Sequence, residues 1–171
     1  GGEVGDTPDG AAQALRDAKF APDGRPADPD FFPVAVWLQN PDNAARYRAA
    51  GINLYVGLWQ GPTAEQLKAL KAARMPVVCA QNEIAITSKD REVIVGYLHG
   101  DEPDNAHKFE EYWQRDVERI KEAWPELYRK LDLKNKPYTA YGPPLPPKWI
   151  VRDYQEIKKQ DPSRPVLLNL G

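Results

Sequence analysis

The chain has 171 residues, 42% hydrophobic and 28% charged, enough apolar material for one substantial core. Its 23 basic and 25 acidic residues nearly cancel, and no long basic run stands out, which argues against a nucleic-acid partner. No stretch approaches the roughly 20 apolar residues of a membrane-spanning helix, and a single cysteine excludes an intramolecular disulfide.

Residues 1–30 are rich in Gly, Pro and Asp and read as an N-terminal arm on the domain surface, with one short helix expected around "AAQALRDAKF". Order begins near Phe31. "FFPVAVWLQ" and "INLYVGLW" are β-branched and aromatic runs that predict strands, and "PDNAARYRAAG" between them has the Asn/Asp cap, helix formers and closing glycine of a helix. "TAEQLKALKAARM" places Leu67, Leu70 and Ala73 at helical spacing behind a Thr cap. The near-continuous apolar run "PVVCAQ" follows, as expected of a strand buried on both faces. Cys79 sits inside that run, which marks it as a buried structural cysteine rather than a nucleophile.

"NEIAITSKDRE" reads as a loop or short helix, and "VIVGYLHG" as the fourth strand. From about 106 to 129, Phe109, Trp113, Val117, Ile120 and Trp124 recur at three- and four-residue steps, which predicts a long helix with one apolar stripe. "KNKPYTAYGPPLPP" is a proline-rich connector with room for a short strand at "PYTAYG"; "KWIVRDYQEIKKQD" predicts a further amphipathic helix and "RPVLLNLG" a fifth strand.

Repeated strand–helix–strand units with short connections predict an α/β fold with parallel strands. A doubly wound nucleotide-binding sheet would carry a glycine-rich turn after its first strand, and "LQNPDN" has no glycine. A (β/α) TIM-barrel-type fold instead places polar residues at the carboxyl ends of its strands. Here the apolar runs stop at Gln39 and Asn40, at Trp59 and Gln60, at Gln81 with Asn82 and Glu83, at His99 with Asp101 and Glu102, and at Asn169. Amides donate and accept as hydroxyl groups require, a tryptophan offers a platform to a sugar ring, and a carboxylic acid can protonate a leaving oxygen. Gln39, Trp59, Asn82, Glu83, His99, Asp101 and Asn169 are therefore candidate substrate-binding residues for a carbohydrate, and Asp101 and Glu102 bring neighbouring carboxyl groups to the same set.

Several of these have a bland alternative. Asn82 and Glu83 also suit a helix cap, Trp59 also suits a core, and Asp101 or Asp104 with Pro103 also suits a helix-entry turn. His99, Asp101, Glu102, Asp104 and His107 include ligand types for a divalent ion, but their spacing matches no zinc signature. Neither a metal nor another cofactor is expected.

"HGDEP", at the end of the fourth expected strand, resembles the Asn-Glu-Pro motif of retaining glycoside hydrolases of clan A, in which the glutamate is the acid/base. The resemblance assigns that role to Glu102, with Asp101 standing where the clan has asparagine. "FFPVAVWLQNPDNAARYRAAGINLYVGLW", "MPVVCAQNE", "YLHGDEPDN" and "DPSRPVLLNLG" are similar to barrel hydrolases, mostly bacterial, related to this clan. The likeness runs over residues 31–171, apart from what looks like a helical insertion near 106–138. It implies hydrolysis of O-glycosidic bonds by a retaining acid/base mechanism, and an extracellular or periplasmic setting. A complete barrel has eight strands in about 250 residues, and five are expected here. The clan's nucleophile comes from the seventh strand, so the resemblance assigns none in this chain. The expectation is an incomplete barrel that self-associates or is completed by further polypeptide. The alternative is a non-catalytic carbohydrate-binding or structural barrel fragment.

Overall fold

The computed structural model describes residues 19–105, 121–130 and 144–171. Five of the apolar runs pair as strands: β1 (Ala35–Trp37), β2 (Leu54–Val56), β3 (Val77–Cys79), β4 (Ile94–Leu98) and β5 (Val166–Leu167). They form one parallel sheet in the order β1-β2-β3-β4-β5. Every strand thus lies beside its predecessor in the chain. A doubly wound sheet reverses its order at a switch point; this one does not.

The connections carry short helices: a 3-10 turn (Pro41–Asn43) running into α1 (Ala44–Ala49), α2 (Ala64–Ala72), α3 (Glu83–Thr87) and a 3-10 turn (Arg91–Val93). Beyond β4 come α4 (Pro125–Lys130) and α5 (Pro147–Gln160). Alternation along the strands sorts side chains to two faces. Tyr55, Val77, Cys79 and Tyr97 face α1 to α3 and pack with Ala44, Leu67, Leu70 and Ala85, with Ile157 of α5 against them. Leu54, Val56, Val78 and Val95 form a smaller cluster on the opposite face, joined by Phe20 and Leu98. Phe20 belongs to the arm, where it bridges Pro26 and meets Phe31 edge-on at 5.9 Å. The described part of the arm thus covers apolar sheet that the helices leave open.

A buried carboxylate fastens the last strand. Asp161, in the turn between α5 and β5, accepts hydrogen bonds from the Tyr97 hydroxyl at 2.8 Å, the Ser163 amide at 3.0 Å and Arg91 Nη2 at 3.0 Å, and pairs with the Arg164 guanidinium. Arg164 Nε in turn donates to the Ile94 carbonyl at 2.7 Å. Burial pushes the Asp161 carboxyl up, but the hydrogen bonds from Ser163 and Tyr97 and the Arg164 charge outweigh it and hold the group well below the usual carboxylate range.

The strands are shorter than the runs that predict them. β1 stops at Trp37 because Leu38 takes a left-handed backbone, φ 50°. The predicted long helix is interrupted as well. Residues 121–123 are helical, Trp124 is not, and α4 starts at Pro125. A residue before proline is pushed out of the helical region by the proline ring. Phe109, Trp113, Val117, Ile120 and His107, the "PYTAYG" strand and most of the "AAQALRDAKF" helix lie outside the described residues.

The described residues divide into two compact units. The first holds 19–99 and 154–168, with all five strands and both clusters. The second holds 100–105, 121–130, 144–153 and 169–171, where Trp149, 1% exposed, packs edge-on against Trp124 at 5.7 Å. Among the described residues no helix is long and apolar enough to cross a membrane.

Candidate functional site

The polar residues at the strand ends differ in what the fold leaves them free to do. After β1, Gln39 Nε2 donates to the Trp37 carbonyl at 3.0 Å and Gln39 Oε1 accepts from the Tyr47 hydroxyl at 2.8 Å. Both ends of its amide are used in tying the strand end to α1. Asn40 caps the 3-10 turn through the Asp42 amide.

After β2 the chain makes a tight loop. Trp59 is 69% exposed, Gln60 has a left-handed backbone at φ 52°, and the loop closes at Pro62, whose side chain is fully buried. Gln66 Nε2 donates to the Trp59 carbonyl at 2.9 Å, while Gln66 Oε1 accepts from the Thr63 amide as half of the box that caps α2. After β3, Asn82 caps α3 by accepting from the Ala85 amide at 2.8 Å, and its Nδ2 donates to the Pro62 carbonyl at 2.9 Å. Glu83 is exposed in the first turn of α3. Cys79, the last residue of β3, is fully buried; burial pushes its thiol up to about 12, which removes it as a nucleophile near neutral pH.

After β4, His99 continues the ladder, its amide donating to the Leu167 carbonyl at 2.9 Å. The residues that follow belong to the second unit, and there the acids gather. Glu102 stands four residues past the end of β4, half-buried, with φ 42°. Its Oε2 accepts from Asn105 Nδ2 at 3.1 Å, and its carbonyl accepts from the Asn105 amide at 2.9 Å. A left-handed backbone at a non-glycine residue costs about 1–3 kcal/mol and persists where surrounding structure enforces it. Here the turn to Asn105 does so, and the Leu145 amide donates to the Pro103 carbonyl within the same turn.

Asp101 Oδ1 accepts from Asn169 Nδ2 at 2.7 Å, and Asp104 Oδ1 accepts from the Gly171 amide at 3.2 Å. The carboxylate fixes which way the Asn169 amide points, and leaves Asn169 Oδ1 buried without a hydrogen-bond partner. Gly171 passes close by. A Cβ added there would sit 2.8 Å from Asn105 Nδ2 and 3.1 Å from Glu102 Oε2. The second unit thus brings Asp101, Glu102 and Asn169 together. Gln39, Trp59, Asn82, Glu83 and His99 belong to the first unit.

Two residues absent from the sequence expectations emerge. Asn105 holds the Glu102 carboxylate, and Gln66 holds the Trp59 loop. The signal for Gln66 was the Thr63-x-x-Gln66 capping-box spacing, which identifies one of its two bonds; nothing in the spacing marks Asn105. Among the described residues no group of three or more His, Cys, Asp or Glu is placed to hold a metal ion. No family model, curated protein or solved structure matches the chain.

Proposed function

We propose that the five-stranded sheet is part of a (β/α) barrel of the kind found in clan A glycoside hydrolases, and that Glu102 is the acid/base of a retaining reaction on O-glycosidic bonds. The observation that carries this is the placement of Glu102 just past β4, in an enforced left-handed turn, with Asn105 holding one carboxylate oxygen. The consecutive strand order supports the barrel, because each strand of a barrel follows its predecessor around the ring.

In the first step the Glu102 carboxylic acid protonates the departing glycosidic oxygen while a second carboxylate attacks the sugar's anomeric carbon. In the second, the Glu102 carboxylate takes a proton from water, which hydrolyses the glycosyl intermediate. The second carboxylate comes from polypeptide that pairs with the sheet edges. Among the described residues β1 pairs only with β2 and β5 only with β4, which supports completion of the sheet by further parallel strands at its edges. Trp59, exposed on the first unit, stacks on a sugar ring. In the second unit Asp101, its Oδ1 taken by Asn169, presents its other oxygen to a hydroxyl.

The test is Glu102→Gln in the gene product that carries this chain, assayed on a panel of oligosaccharides. Turnover falls by about 10²–10⁴-fold, the usual contribution of a positioned acid/base, with little change in calorimetric affinity. Unchanged turnover removes Glu102 from the mechanism, and polysaccharide binding without any turnover in the wild type replaces hydrolysis by a binding role.

A further inference from the structure

An exposed tryptophan on a surface loop normally costs apolar hydration and wanders; this one is tied down. Gln66 and Asn82 each serve two masters with one amide. The oxygen of Gln66 takes the Thr63 amide as part of the α2 cap, and its nitrogen donates to the Trp59 carbonyl. The oxygen of Asn82 takes the Ala85 amide as the α3 cap, and its nitrogen donates to the Pro62 carbonyl. The loop between these anchor points is 59–62. The Gly61 amide adds a bond to the Leu58 carbonyl at 3.1 Å, and the Gln66 side-chain Oε1 lies so close over Gly61 that a Cβ there would collide with it.

For capping alone, acids would serve as well as amides. Asp equals Asn at the N-cap, and Glu is as good as Gln at the third helical position. Only the amide has a donor left for the loop carbonyl. We infer that Gln66 and Asn82 are positioning residues that preorganise the Trp59 loop, so that the indole is held for stacking on a flat apolar ligand face before the ligand arrives. The inference gives the reading of Trp59 as a sugar platform its supporting residues and rests on that reading for the ligand class. Its advantage is entropic: a loop ordered in advance loses less freedom on binding.

Gln66→Glu and Asn82→Asp separate the two jobs. Each keeps its helix cap and replaces the donor to the loop with a second acceptor facing a carbonyl. In ¹⁵N-labelled protein, the backbone order parameters of Gln60 and Gly61 fall in both variants and the Gly61 amide exchanges faster, while the melting temperature falls by only about 1–6 °C, the cost of one hydrogen bond in a chain of this size. Retardation in native gels cast with laminarin, xylan, hydroxyethylcellulose or glycol chitin reads the consequence. Whichever polysaccharide retards the wild type holds each variant about 3- to 10-fold more weakly, the range expected for newly ordering a loop and one side chain, and Trp59→Ala is not retarded. Unchanged order parameters and exchange in both variants overturn the inference whatever the gels show, as do mobilised loops with undiminished retardation. Mobilised loops in the variants, with no polysaccharide retarding the wild type, sustain the tether and reject the sugar platform, so the two readings fail separately.

Discussion

Asp161→Ala tests whether the turn into β5 is fastened as the structure describes. The substitution removes a carboxylate, 6% exposed, that takes the Tyr97 hydroxyl and faces the Arg164 guanidinium. Tyr97 is fully buried and the Arg164 side chain is 19% exposed, so water cannot fully replace the lost acceptor. Removing one partner of a buried ion pair costs about 3–5 kcal/mol. The lower end applies because Arg164 keeps the Ile94 carbonyl and Arg91 is partly in water. A loss of about 3 kcal/mol corresponds to about 6–12 °C in a chain of this size. The pH dependence gives a second handle. Because the folded carboxyl is held below its unfolded value, its contribution is complete above about pH 4 and is lost as the pH falls through the folded value. Urea denaturation of wild type and variant, repeated from about pH 7 to about pH 2, therefore shows a gap that narrows only in acid. A gap below about 1 kcal/mol at neutral pH, the scale of an exposed pair, refutes the account of this network.

Two further outcomes follow from the first unit. Cys79 does not react with a thiol reagent such as dithionitrobenzoate near neutral pH until denaturant is added, since burial pushes the thiol up to about 12; prompt labelling of the native protein contradicts the buried placement. Gly57→Ala destabilises by about 1–2 kcal/mol, because Gly57 has φ 77° and an added Cβ would sit 2.8 Å from the Leu38 side chain. A melting temperature equal to wild type overturns that reading.

The sheet was legible because its strands are short β-branched runs separated by capped helices, and strand order follows chain order. Their lengths were not. "FFPVAVWLQ" is apolar over eight residues before Gln39, yet only Ala35–Trp37 pairs with β2. Apolarity reports burial, whereas pairing depends on backbone angles such as that of Leu38. The strand-end amides carry the same lesson in chemical form. A group that can donate to and accept from a sugar hydroxyl can do the same with a backbone carbonyl and amide. Gln39 and Asn82 spend both ends of their amides that way. Trp59 could be read either as core or as platform, and its exposure takes it out of the core. The "DPSRP" turn showed no sign of the Asp161 network, since its partners Arg91 and Tyr97 lie about seventy residues away in sequence.

The central claim is that Glu102 delivers a proton to the leaving oxygen and later accepts one from water. The direct measurement is the turnover of Glu102→Gln, in the gene product that carries this chain, on two aryl glycosides of the same sugar, with and without azide. With dinitrophenol as leaving group no proton is needed for departure, so bond cleavage proceeds and azide, which needs no base, restores turnover and yields the glycosyl azide. With a poor leaving group the variant stays slow by about 10²–10⁴-fold. Equal losses on both substrates, with no effect of azide, contradict the assignment of Glu102 as the acid/base.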